Sequence, residues 1–135
     1  MGHISEIAIK HISEAFGRRL QDTGVTRIQW IALYYLKTKG KISQRDLSNL
    51  MNVTDSSAGR LIDRLERDDL IRRETNTTDR RVSNVYLTQK GDRVITQLLP
   101  YGVAFNYELI EGIDEKDLHT YQRVLNKMIS NIINK

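Results

Sequence analysis

Hydrophobic positions recur along most of this chain at steps of three and four, and one short interval changes period. Over residues 3–21, Ile4, Ile7, Ala8, Ile12, Ala15, Phe16 and Leu20 form the one-sided stripe of an amphipathic helix. Gly24 reads as its stop and Thr26 as the N-cap of a second helix. That helix carries Ile28, Trp30, Ile31, Leu33, Tyr34, Tyr35 and Leu36 on more than one face, so it is expected at the centre of the fold. It closes on Lys37, Lys39 and Gly40, cations in the last turn with glycine after them. Ser43 then caps a short helix through Met51, and Asn52 and Val53 make a tight connection. Thr54 caps the next helix, to about Asp68, which buries Ala58, Leu61, Ile62 and Leu65 and exposes Ser56, Ser57, Gly59, Arg60, Asp63, Arg64 and Arg67.

The period changes after Leu70 and Ile71. Two runs, residues 72–75 and 81–87, flank the polar turn Asn76-Thr77-Thr78-Asp79 and read as a β-hairpin. Thr88 caps a long helix from near Gln89, in which Pro100 is expected to cause a kink or begin a new helix. The last helix starts near Asp114 and aligns Leu118, Tyr121, Leu125, Met128 and Ile132. The prediction is a mainly α fold with a small β-hairpin wing. A winged helix-turn-helix at about 26–90 is flanked by helical dimerisation segments at about 3–22 and 91–134, all within one domain spanning 1–135.

Composition narrows the chemistry. The 135 residues hold 21 Lys and Arg against 17 Asp and Glu, a net charge of +4, with no cysteine and one proline. Without cysteine there is no disulfide, thiolate nucleophile, Cys-based zinc site or thiol switch. No apolar run reaches the roughly 18 residues of a membrane span, and the first residues lack a signal-peptide pattern, so the expected setting is the cytoplasm, with no membrane partner. The charge is not a basic tail: residues 54–93 hold 9 basic against 8 acidic side chains. Any nucleic-acid contact must come from individually placed arginines.

Two short helices, a tight turn and a hairpin follow the order of a winged helix-turn-helix, whose second helix enters the major groove of double-stranded DNA. Ser56, Ser57 and Arg60 suit base or phosphate contacts, and Gly59 removes bulk from the same face. Arg80 and Arg81 on a short polar loop suit a minor-groove probe. Asp79, two residues before Arg81, can hold that guanidinium by a charge-assisted hydrogen bond. Taken singly, the same residues would fit a solvated hairpin with a surface ion pair; their order and spacing favour DNA binding.

Residues 79–91, Asp-Arg-Arg-Val-Ser-Asn-Val-Tyr-Leu-Thr-Gln-Lys-Gly, resemble the wing signature of the MarR family of transcriptional regulators: Asp-x-Arg, a short strand, then Leu-Thr-x-x-Gly. Residues 42–73 resemble the family's helix-turn-helix and residues 26–40 the helix before it. The resemblance implies a homodimer, most simply a repressor, that binds a pseudo-palindromic operator and is released by a small aromatic or anionic effector. By position it puts Ser56, Ser57 and Arg60 on the recognition helix and Arg81 at the wing tip with Asp79 orienting it, and the expected DNA-contact set adds Ser43, Thr54, Arg64 and Arg80. One departure stands out: Asp69 occupies a place where the family usually has glycine, so it is expected to take a positive φ.

An effector pocket could be walled by Trp30, Tyr34, Tyr101 and Phe105 with Arg18 holding an anion, although aromatics at helical spacing more often serve as core. No cofactor is expected. His3, His11 and His119 are scattered, giving no metal site, and there is no phosphate loop, His-Glu-x-x-His or nucleophile elbow, so no catalytic residue is assigned and an enzyme is not expected. The competing class is a winged-helix protein-interaction module without DNA binding.

Overall fold

Side-chain caps set where the helices begin. In the computed structural model, which describes residues 1–133, α1 (Gly2–Arg19) passes into a 3-10 turn, Gln21–Thr23, and stops at Gly24 with φ 78°. Thr26 opens α2 (Arg27–Lys39) with a capping box: its hydroxyl accepts from the Gln29 N–H at 3.2 Å, and Gln29 Oε1 accepts from the Thr26 N–H at 3.0 Å. Ser43 caps α3 (Gln44–Met51) by accepting from the Asp46 N–H at 3.0 Å, and Thr54 caps α4 (Asp55–Arg67) by accepting from the Ser57 N–H at 3.1 Å. Such caps each contribute on the order of 1 kcal/mol.

α4 ends as the departure at Asp69 requires. Asp69 has φ 62°, the Leu70 N–H donates to the Leu65 carbonyl at 2.9 Å, and the Asp69 N–H donates to the Glu66 carbonyl at 3.0 Å. This is a Schellman-type stop with aspartate where glycine would be free of strain. Asn52, with φ 54°, plays the same part after α3.

The hairpin is β2 (Ile71–Thr75) and β3 (Ser83–Leu87), antiparallel, with Ile71 opposite Leu87 and Thr75 opposite Ser83. β3 starts two residues later than the β-branched run predicted. Asn76 Oδ1 accepts from the Thr78 and Asp79 N–H groups at 2.9 and 3.1 Å, so residues before Ser83 close a loop rather than extend a ladder. A further strand was not expected: β1 (Ile42–Ser43) pairs with β3, giving the order β1-β3-β2. Two residues are too few for a period to show in sequence.

Thr88 accepts from the Gly91 N–H at 2.9 Å and starts α5 (Gln89–Ile110). No new helix begins at Pro100; α5 runs through it. An interior proline loses one backbone donor and crowds the preceding turn, which can distort a helix without ending it. α6 (Glu115–Ile133) follows.

The chain forms two compact units dividing between Val103 and Ala104. In the first, Leu33, Leu36, Leu47, Ile62, Leu65, Ile71, Val85 and Ile95 close one core beneath the hairpin and the two short helices. In that unit, Phe16 of α1 and its C-cap Leu20 are buried while Ile4, Ile7 and Ile12 remain exposed. In the second, α6 buries none of its described residues, and Tyr121, Met128 and Ile132 are exposed. Residue 134, the end of the segment expected to dimerise, lies outside the described residues. Among the described residues no helix is long and apolar enough to cross a membrane.

Candidate nucleic-acid interface

α4 divides its residues by face. Ala58, Leu61, Ile62 and Leu65 are buried, and this anchors the helix so that Ser56, Arg60, Arg64 and Arg67 project into solvent. Among the described residues no carboxylate lies within 4.0 Å of Arg60 or Arg64, so both present uncompensated charge. Ser57, half-buried, links the cap to this face. Its Oγ accepts from Thr54 Oγ1 at 3.0 Å and from Arg60 Nη2 at 3.5 Å. Thr54 is therefore engaged as a cap, and Ser43 equally so at the start of α3. Ser56 is exposed at the first turn of α4.

The wing tip carries the other charge. Arg81 Nε donates to Asp79 Oδ1 at 3.1 Å and Nη2 donates to Oδ2 at 3.2 Å, a two-pronged pair, while the Arg81 backbone N–H donates to Oδ1 at 3.0 Å. The side chain is nevertheless 90% exposed, so the pair aims the guanidinium without covering it. Arg81, through its side chain first and its backbone N–H second, holds the Asp79 carboxyl below the usual carboxylate range. Arg80 is exposed beside it, with no carboxylate of the described residues within 4.0 Å.

Two open concavities gather most of these groups. One, of about 620 Å³, is lined by Ser43, Gln44, Arg45, Asp46, Asp55, Asp79, Arg81, Val82 and Ser83. The other, of about 290 Å³, holds Ser57, Arg60 and Arg64 against Ile28, Val53 and Leu61. Ser56, Thr54 and Arg80 line neither. Gly59 is half-buried rather than open, and a Cβ there would meet Gln44 Nε2 at 3.6 Å, an ordinary contact.

Sequence reasoning missed Arg45, which lines the first cleft and pairs with Asp55 at 3.3 Å. Its place in the first turn after the Ser43 cap was the available signal. It singled out Arg80 and Arg81 among the four arginines around the hairpin and gave Arg72 and Arg73 no part. Arg72 pairs with Asp69 at 2.9 Å and Arg73 with Asp63, away from the loop tip where Arg80 and Arg81 stand exposed.

The aromatic set is only partly assembled. Trp30 and Tyr34 stack with centroids 5.5 Å apart, and Phe16 meets Trp30 edge-on at 5.1 Å. Trp30 Nε1 donates to the Leu98 carbonyl at 2.8 Å, and its ring occupies the space a Cβ on Gly102 would need. The indole thus serves packing in the first unit. Tyr101 and Arg18 are exposed in that unit, and Phe105 is half-buried in the second.

A model of the MarR family matches residues 23–82, which run from the turn before α2 to the wing tip. That stretch of the chain is similar to the MarR family. The similarity is to a class of DNA-binding regulators of transcription. The chain is 24% identical over 132 residues to YsmB, an uncharacterised HTH-type transcriptional regulator of Bacillus subtilis, covering 93% of this chain and 90% of that one. Its fold is similar to that of MepR from S. aureus in a complex with DNA, with TM-score 0.88, 22% identity and 96% of each chain covered. It is also similar to Bordetella bronchiseptica BpsR, whose DNA binding is regulated by 6-hydroxynicotinic acid, with TM-score 0.84, 22% identity and coverage of 94% of this chain and 96% of that one.

Proposed function

We propose that this chain is a cytoplasmic, homodimeric repressor that sets paired α4 helices into the major groove of a pseudo-palindromic operator and is released by a small effector. The observation that carries the DNA reading is the exposed Arg81, clasped by Asp79 at the wing tip, in the same unit as the uncompensated Arg60 and Arg64 of α4. Ser43, Thr54, Ser56, Ser57, Arg60, Arg64, Arg80 and Arg81 form the contact set, Thr54 and Ser43 mainly by fixing the helix starts whose free N–H groups favour phosphate. The DNA complex of MepR supports the same use of this fold.

Dimerisation is supported within each unit separately. Ile4, Ile7 and Ile12 on α1, and Tyr121, Met128 and Ile132 on α6, are apolar side chains left in water by the single chain. A second copy covers them most simply, and a two-fold dimer matches a two-fold operator. An effector of the aromatic-acid class that regulates BpsR is the one proposed here, with Arg18, Trp30, Tyr34, Tyr101 and Phe105 as the positions to substitute first.

The test is fluorescence anisotropy with duplex DNA over a salt series. Phosphate contacts release counterions, so log affinity should fall linearly and steeply with log salt. A salt-independent signal, or none, favours a protein-interaction module instead.

A further inference from the structure

Strand parity places Arg73 on the inward face of the sheet. Ile71, two residues earlier on β2, and Val85, the register partner of Arg73 on β3, are both fully buried. A guanidinium entering on that side needs acceptors, and α4 supplies them. Arg73 Nη2 donates to the Gly59 carbonyl at 3.2 Å and to an Asp63 carboxylate oxygen, while Nη1 lies 3.8 Å from Glu66 Oε1. The Arg73 backbone N–H donates to Glu66 Oε2 at 3.3 Å. Gly59, Asp63 and Glu66 are spaced by four and three, a single stripe along α4, so one side chain spans two helical turns. Arg73 Nε is buried without a partner among the described residues, so this side chain accepts one unmade hydrogen bond to hold that position.

We infer that Arg73 sets the angle at which the wing stands against α4, so that Arg81 and the α4 arginines meet DNA as one rigid unit; this rests on the DNA-binding reading above. β2 is an edge strand of the sheet, paired on one side only. Past Leu70 and Ile71, the Arg73 fork and the Glu66 carboxylate make the polar tie between β2 and α4 among the described residues. The fixed fork of a guanidinium can reach a carbonyl and a carboxylate together, whereas the point charge of lysine cannot hold both in one geometry. Arg73 is a positioning residue. It need not touch DNA to affect binding.

Asp63→Ala separates positioning from charge, because the two predict opposite signs. Removing a carboxylate beside Arg60 and Arg64 raises the positive potential of α4, and charge alone would tighten duplex binding. Positioning predicts binding weaker by about tenfold, within the range for residues of one ion-pair network. The probe is a duplex selected by the wild-type chain from a random-sequence library, titrated at fixed salt. Arg73→Lys, which keeps the charge and loses the fork, should weaken binding in the same direction. In an Arg81→Ala background the Asp63→Ala loss should shrink below about twofold, since no wing probe remains to be misplaced. General unfolding would carry over undiminished. Asp63→Ala binding at least as tight as wild type, or an equal loss in both backgrounds, overturns the inference and leaves DNA binding standing. A wild-type chain that selects no duplex overturns both.

Discussion

In the proposed DNA-binding reading, Asp79 and Arg81 make a probe out of a loop. The carboxylate accepts from both prongs of the guanidinium and from the backbone N–H behind it, so the arginine is aimed before DNA arrives. Ordering that side chain in advance reduces the entropy lost on binding. Arg81→Ala should therefore weaken operator binding by about 1–3 kcal/mol in an anisotropy titration. Asp79→Ala should cause a smaller loss of the same sign, with the charge still present but unaimed. The pH dependence follows from the depressed pKa of Asp79. A group depressed in the folded state contributes above its unfolded pKa, and that contribution is lost only as pH falls through the folded value. The clasp thus persists across neutral pH. A carboxyl NMR titration should place the Asp79 midpoint below the ordinary range, and Arg81→Ala, which keeps the backbone N–H donor, should bring it only partway back.

The junction of α4, the hairpin and α5 fixes where that probe stands, and it turns on two residues with opposite needs. Asp69 sits at φ 62°, and its carbonyl accepts from Thr88 Oγ1 at 2.6 Å. Gly91 packs so closely that a Cβ would lie 1.9 Å from the Leu70 carbonyl oxygen. Asp69→Gly should leave stability unchanged or raise it by roughly 0.5–1 kcal/mol, because the exposed Asp69–Arg72 pair it gives up is worth little. Gly91→Ala should lower stability by about 1–3 kcal/mol, since backbone must move. Urea unfolding of the two variants checks both signs. Elements with local causes were legible from sequence: Thr26, Ser43, Thr54 and Thr88 announce helix starts, and Asp69 announced its own strain. β1 was not, because a two-residue strand exists only by pairing with β3. Arg73 was not either. It looks like its neighbours in a run of arginines, and only the inward parity it shares with buried Ile71 sets it apart.

At the scale of the molecule, the site depends on what covers the apolar helices. α1 and α6 each carry a stripe that the sequence spacing revealed, and in the single chain much of it faces water. Sedimentation should give a particle of twice the chain mass. Ile7→Asp and Met128→Glu, both at exposed positions, should shift it toward monomer while far-ultraviolet circular dichroism stays unchanged. The division of charge also becomes clear at this scale. A net of +4 spread over 135 residues is too diffuse to hold DNA by itself, and the proposed contacts rest on Arg60, Arg64 and Arg80, left without a carboxylate partner among the described residues, and on Arg81, which Asp79 aims outward. The most direct measurement is selection of bound duplexes from a random-sequence library at moderate salt, using protein purified free of small molecules. The account predicts one enriched inverted repeat, its half-site centres about one helical turn, roughly 10 base pairs, or a multiple of it apart. A library that comes through with no enriched sequence would contradict it.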